Sequence, residues 1–314
     1  MYRYVVKRII MLIPIVIGIS LLVFVIMDLA PGSAVDYLSS SDATEEDIAR
    51  LTAQLGLDKP LLVRYVIYMQ GLIQGDMGKS FVSGNDVFAT YMQKFPATLL
   101  LALSAVALAV IVSVPLGIYS AMHSGKTRDN AATIVTLVGL SLPNFWLGLL
   151  LIMLFSLNLG LLPSGGNFDG WKSLILPAVT LSTSLAAMIM RTTRSSMLDV
   201  MRQDYLRTAR AKGVPEKRVI NRHALKNALI PIINAIGIEL GVCIGGAVIT
   251  ETVFSWPGVG RLIIDSLNSR DVPMVTGSII LKTITISIIM LIVDLLYAAV
   301  DPRIKVQYSR KKGW

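Results

Sequence analysis

The sequence predicts an all-α membrane protein with six transmembrane helices and an external helical insert after the first. Three observations carry this. Of 314 residues, 54% are hydrophobic and only 16% charged, with a mean hydropathy of +0.66. A soluble domain carries about 25% charged residues, so the charge here is too sparse to coat a globule of this size. Six stretches stay apolar over the roughly 20 residues that a helix rising about 1.5 Å per residue needs to cross about 30 Å of hydrocarbon. Lys and Arg, finally, gather in alternate connecting segments. A single Cys excludes a disulfide scaffold, and the abundance of apolar residues excludes disorder. The net charge of +9 admits either nucleic acid or an anionic membrane surface until its position is known.

The first span, 9–29, follows Arg3, Lys7 and Arg8. Its apolar run exceeds the roughly 7–15 residues of a signal h-region, so 1–29 reads as a retained anchor helix, with cleavage after Ala30 as the alternative. Residues 30–97 form the external insert. There Thr44 with Asp47 makes a capping box, and Leu55-Gly56 a helix end. After Pro60, the residues Leu61, Tyr65, Tyr68, Leu72 and Ile73 fall on one side of a second helix. That helix either packs on the spans or lies on the outer membrane face.

The remaining spans are expected at 98–122, 132–157, 173–190, 232–250 and 277–299. Pro143-Asn144 lies inside the third and invites a kink. The segments before span 1, between spans 2 and 3, between spans 4 and 5, and after span 6 hold twenty of the 29 Lys and Arg. Positive residues resist translocation, so these segments, both termini and the tail 301–314 are expected in the cytoplasm. The basic charge is thereby explained as orientation, without nucleic acid.

The cytoplasmic segment 191–230 is the most informative. It carries Arg191, Arg194, Arg202, Arg207, Arg210, Lys212, Lys217, Arg218, Arg222 and Lys226 against Asp199, Asp204 and Glu216. Residues 198–212 read as helix, Gly213 as its stop, and Pro215 as the start of a second helix reaching about Leu229, with Pro231 opening span 5. Two readings of this hairpin are open: a positive loop resting on anionic lipid heads, or a docking element for a soluble partner.

The run Tyr205-Leu206-Arg207-Thr208-Ala209-Arg210-Ala211-Lys212-Gly213, with Asn227-Ala228-Leu229-Ile230-Pro231 beyond it, resembles the EAA loop of ABC importer permeases. It is closest to the dipeptide/oligopeptide (peptide/nickel) group. The resemblance extends through Leu55-Gly56-Leu57-Asp58-Lys59-Pro60, Gly75-Asp76-Met77-Gly78-Lys79-Ser80, Pro96-Ala97-Thr98-Leu99, Ser141-Leu142-Pro143-Asn144-Phe145-Trp146 and Leu162-Pro163-Ser164-Gly165-Gly166. It continues in Glu251-Thr252-Val253-Phe254-Ser255-Trp256-Pro257-Gly258, Asp294-Leu295-Leu296-Tyr297 and Asp301-Pro302-Arg303. Arg207-Thr208-Ala209 stands where the general motif has Glu-Ala-Ala, as in the peptide-type subgroup.

The resemblance implies a type I ABC importer permease fold with a five-helix core over 98–300, in a bacterial plasma (inner) membrane. It implies a second homologous permease subunit, two ABC ATPase subunits and an extracytoplasmic solute-binding protein as partners, besides membrane lipid. ATP and Mg would sit on the ATPase subunits; this chain would hold no cofactor and would not itself be an enzyme. The hairpin would be the coupling element, with Tyr205 and Leu206 giving apolar contact to the ATPase and Ala209, Ala211 and Gly213 a small-residue turn. Alternating access would follow from ATP-driven motion of that element. Peptides are the expected solute, with glutathione or nickel complexes as alternatives.

Gly78-Lys79-Ser80 lacks the earlier glycine of a phosphate loop, since Ile73 occupies that place. His123, His223 and Cys243 show no metal spacing, so no metal site is expected. Gly237, Gly241 and Gly245 recur every fourth residue and predict a face of close packing, against another span or a second permease chain. Charges inside spans must face protein or water. Asp294 is read as structural, Lys282 as snorkelling, and Glu239, near mid-span, as a candidate for the translocation path together with Asn144. An ion-coupled secondary transporter is the rival class, but the two halves show no repeat and mid-span acids are sparse.

Overall fold

The structure is a computed structural model and describes residues 2–39 and 43–300. The expected tail 301–314, with Asp301-Pro302-Arg303, lies outside the described residues. Among the described residues the elements are helical, apart from one isolated bridge between Lys79 and Asp86. Among the described residues five helices are long and apolar enough to cross a membrane, and a bent pair can supply a sixth crossing. The described residues divide into two units: Tyr2–Thr98 with Pro257–Ser287, and Leu99–Trp256 with residues 288–300.

The first unit contains α1 (Tyr2–Leu29), α2 (Ala34–Leu38), α3 (Glu45–Gln54) and α4 (Leu61–Ile73). Ser33 and Thr44 each cap the helix that follows, and Asp36 and Asp47 reach back to close reciprocal capping boxes. After α3, Gly56 takes a positive φ of 66°, a conformation open to glycine without a Cβ penalty. The second helix of the insert packs on α1. Phe24 meets the Tyr65 and Tyr68 rings at 5.4 and 5.2 Å, Tyr65 shares a 3.0 Å hydrogen bond with Ser20, and Arg64 pairs with Asp28. Ile73 departs from the expected face: it is 82% exposed, because α4 ends there.

The same unit holds α13 (Val259–Asn268), in a stretch expected to be a loop, and the first part of α14 (Val272–Val300). Val259 and Ile263 bury one side of α13 with Tyr91 and Leu281. The Val259 amide donates to Thr98 Oγ1 at 2.8 Å. Gly78-Lys79-Ser80 forms a structural turn here: Ser80 Oγ donates to the buried Asp271, whose other oxygen accepts from the Phe81 amide at 3.1 Å.

The second unit starts in α5 (Val87–Met122), which contributes to both, and runs through α6 (Thr127–Ser141), α7 (Asn144–Leu151) and a π-helical turn, Ile152–Asn158. The third span, expected over 132–157 with a kink at Pro143-Asn144, breaks there into two helices. The two halves of that stretch are bent by 96°. Leu142 (ψ 125°) and Pro143 (ψ 130°) are both extended. Proline ring sterics push the preceding residue out of the helical region, so the chain restarts as a new helix at Asn144. Beyond Gly160, the Gly166 amide donates to the Phe254 carbonyl at 2.8 Å. A Cβ on Gly165 would stand 2.4 Å from that carbonyl oxygen.

Next come α8 (Trp171–Met201), α9 (Asp204–Ala211), α10 (Glu216–Arg218), a second π-helical turn (Val219–Ala224), α11 (Leu225–Gly246) and α12 (Val248–Val253). Two boundaries differ from expectation. Residues 198–201 belong to α8, and Arg202-Gln203 separate them from α9. Pro231 does not open a span: Glu216–Gly246 is a continuous helix with the proline inside it.

Candidate functional site

The α9 hairpin is built from its anchoring side outward. Gln203 is extended (φ −75°, ψ 143°), which turns the chain away from α8 before α9 begins. In its eight residues, Leu206 and Ala209 fall on one face. Leu206 is wholly buried among Ala121, Met197, Val219, Ile220, Ala224, Ala228 and Ile232, and the half-buried Ala209 packs on the same cluster. This corrects the expected role of Leu206. It has no exposed surface to offer a partner, because its side chain plugs α9 into the chain's own core. The π-helical turn that follows Arg218 presents Val219, Ile220 and Ala224 together to this cluster, a local widening of the helix often found at functional sites.

Polar contacts fix the remaining freedom of the helix. Tyr205 is 42% exposed, yet its hydroxyl accepts from Asn227 Nδ2 at 2.7 Å and donates to the His223 carbonyl at 3.4 Å. Arg210 grips Glu216 through both ends of its guanidinium, at 3.0 and 2.8 Å. This bidentate contact, the largest influence on either group, holds the Glu216 carboxyl below its ordinary range and raises the Arg210 guanidinium. Between these two residues Gly213 takes φ 75°, and a Cβ there would meet no atom within 4 Å. Glycine is therefore favoured by backbone conformation and not by crowding. The outward side carries Asp204, Arg207, Thr208, Ala211 and Lys212, flanked by Lys217, Arg218 and Arg222.

The sequence had singled out Tyr205, Leu206, Ala209, Ala211 and Gly213. The structure gathers all five in one hairpin but divides them: Leu206 and Ala209 face inward, while Tyr205, Ala211 and Gly213 are exposed. The Arg210–Glu216 pair and the Asn227–Tyr205 bond were not singled out. Their only sequence signal was opposite charge across a glycine turn and an Asn inside the resembling run.

The other candidates lie on separate elements. Asn144, the first residue of α7, donates to Ser184 Oγ on α8 at 3.4 Å. Glu239 is half-buried in the middle of α11. On that helix Gly237 and Gly241 face α14: a Cβ would stand 2.1 Å from Val293 Cγ1 and 2.6 Å from Met290 Cε. Gly245 is half-buried, and Cys243 is a buried free thiol. Among the described residues no group of three His, Cys, Asp or Glu is placed to hold a metal ion.

Comparison with known proteins gives this architecture its context. Residues 113–306 match the family described as binding-protein-dependent transport system inner membrane component, and residues 1–102 match that family's N-terminal membrane component. The chain is 42% identical over 315 residues to the oligopeptide transport system permease protein AppB of Bacillus subtilis (strain 168), covering 97% of this chain and 100% of that one. It is 40% identical to the dipeptide transport system permease protein DppB of Escherichia coli (strain K12) over 336 residues, and to the glutathione transport system permease protein GsiC of Salmonella typhi over 305. Each of these two alignments covers 97% of this chain and 99% of the relative. Among solved structures, an inward-facing form of the MetNI methionine ABC transporter superposes with a TM-score of 0.59 at 18% identity, over 68% of this chain and 96% of that one. The family match, together with several apolar helices, fits a multi-pass inner membrane protein. The chain belongs to the binding-protein-dependent transport system inner membrane components, the permease subunits of ABC importers.

Proposed function

We propose that this chain forms one half of the translocation pathway of an ATP-driven importer for di- and oligopeptides, and that α9 is the element through which ATPase subunits move it. The observation that carries the coupling role is the division of α9 into two faces. Leu206 and Ala209 fasten the helix from behind, and the Tyr205–Asn227 and Arg210–Glu216 contacts fix its orientation. The exposed side then offers the small residues Ala211 and Gly213 within a basic rim. Small side chains let a helix sit close in another protein's groove, and the charged rim orients it.

In this mechanism a homologous second permease completes the pathway, and each chain seats its coupling helix on one of two ATPase subunits. ATP and Mg belong to those subunits. ATP binding draws the coupling helices together and turns the cavity outward, where an extracytoplasmic binding protein releases its solute. Both termini and the hairpin face the cytoplasm, in keeping with their Lys and Arg excess. Asn144 and Glu239 are the polar groups we assign to the path. The peptide assignment draws on relatives named for oligopeptide, dipeptide and glutathione transport.

The test is uptake into proteoliposomes holding the full complex, with ATP inside and the cognate binding protein outside. Dipeptides, longer peptides, glutathione and a nickel complex are each supplied outside. ATP-dependent accumulation of peptides supports the reading. Accumulation of nickel alone overturns the peptide assignment, and uptake driven by an ion gradient without ATP overturns the importer mechanism.

A further inference from the structure

At the end of α8 that leads into α9, a buried charge joins three elements. Arg194 donates from Nε and Nη2 to the two carboxylate oxygens of Asp129, each at 2.7 Å. Asp129 lies in the first turn of α6 and is almost wholly buried, at 3% exposure. Its carboxylate also accepts from Ser120 Oγ, in the last turn of α5, and from the Gly125 amide at 2.9 Å, in the turn between α5 and α6. The four donors leave this carboxylate no need of water, and the bidentate fork fixes direction as well as distance.

The contacts on either side of this pair follow the same line. Toward the apolar middle of the helices, Gly117 of α5 touches α8 as closely as backbones allow. A Cβ there would stand 2.6 Å from Thr193 Cβ and 2.9 Å from the Met190 carbonyl oxygen. In the other direction, Ala121 of α5 and Met197 of α8 enter the cluster that holds Leu206 of α9. Along this line Gly117 lies against Thr193, Ser120 and Arg194 share the Asp129 carboxylate, and Ala121 and Met197 share one cluster with the coupling helix.

We infer that the Asp129–Arg194 ion pair locks α5, the α5–α6 turn and the cytoplasmic end of α8 into one lever, so that displacement of α9 is passed to α5 and α6 rather than absorbed by bending of α8. This rests on the reading of α9 as the coupling helix. Arg194 and Asp129 are positioning residues, acting through α9 and touching neither solute nor nucleotide. Packing alone could hold α8 near α5. A carboxylate with two charged bonds from one guanidinium additionally resists sliding and rotation, because either motion breaks the fork and leaves a buried charge without its partner.

The experiment compares Arg194→Lys with the doubly neutral Asp129→Asn/Arg194→Gln in the full complex, reading the solute carried per ATP hydrolysed in proteoliposomes. Lysine keeps the charge but offers a point contact instead of a fork. The neutral pair avoids an unpaired buried charge and keeps hydrogen bonding, which guards against misfolding. The amount of assembled complex is measured in parallel. Loss of one charge-assisted bond is expected to lower solute carried per ATP about tenfold in Arg194→Lys, with hydrolysis continuing. The inference is overturned if the ratio stays at the parent value in both variants, whether or not the amount of complex falls. Ala211→Asp, on the exposed side of α9, separates the two ideas. If it transports normally, the coupling reading of α9 fails. If it is inactive while both clamp variants keep the parent ratio, only the lever fails.

Discussion

Residues within one short helix divide between holding it and using it. Leu206→Ala removes a side chain from a closed cluster, a change that costs about 2–5 kcal/mol, so the melting temperature of the purified complex should fall together with transport. Ala211→Asp changes an exposed position, where substitutions alter stability by less than about 0.5 kcal/mol. It should leave melting unchanged while transport is lost, and an equal drop in melting would remove Ala211 from the partner surface. Tyr205→Phe deletes a hydroxyl with two protein partners and should destabilise the hairpin by about 1 kcal/mol. The Arg210–Glu216 pair sets a pH expectation. Because its folded carboxyl is held low, its stabilising effect is present above the ordinary glutamate value of about 4.3 and is lost as pH falls from there through the lower value of the folded group. Melting with and without Glu216→Gln should therefore differ equally at pH 8 and pH 6, and the difference should shrink progressively as the solution is acidified below the ordinary glutamate range.

Elements reveal what was legible in the sequence and what was not. The start of α3, the stops at Gly56 and Gly213, and the helix after Pro60 were readable, because each is fixed by side chains within a few residues of the boundary; the break at Arg202-Gln203 before α9 was not. The corrected features depend on distant partners. Nothing local states that Leu206 faces Met197 and Ile232 rather than another protein, since eight residues show a face but not its owner. The bend at Pro143 was legible as a kink, but its 96° depends on two successive extended residues. Pro231 looked like a boundary, yet the helix continues through it. The amphipathic spacing of Val259, Ile263 and Ser266 marks α13, but it lay hidden in a segment too polar to span. Close helix approach makes its own prediction. Gly237→Ala would force a methyl against the β-branched, rotamer-stiff Val293, and overpacking of this kind costs about 1–3 kcal/mol. A lower melting temperature for Gly237→Ala is expected, with partial recovery in Gly237→Ala/Val293→Ala.

For the whole molecule, the decisive property is which way it crosses the bilayer. The Lys and Arg asymmetry predicts that 30–97 is external and 191–230 cytoplasmic. In spheroplasts, a membrane-impermeant maleimide should therefore label Asp58→Cys and reach Lys217→Cys only after permeabilisation. The reverse pattern would invert the topology and with it every role assigned to α9. Cys243 is buried and should add little background.

The bend at Leu142-Pro143 also says something about solvent. Non-helical backbone at membrane depth is tolerated where protein or water covers it, because hydrocarbon offers carbonyl groups no hydrogen bond. Pro143, Phe145 and Trp146 are nevertheless exposed on this chain. Lying within the stretch expected as the third span, the corner between α6 and α7 is expected to be covered by protein or water and not by acyl chains. In the assembled importer Trp146 should be shielded from a brominated-lipid quencher, while a lone copy of the chain would have to draw water into the bilayer to survive there.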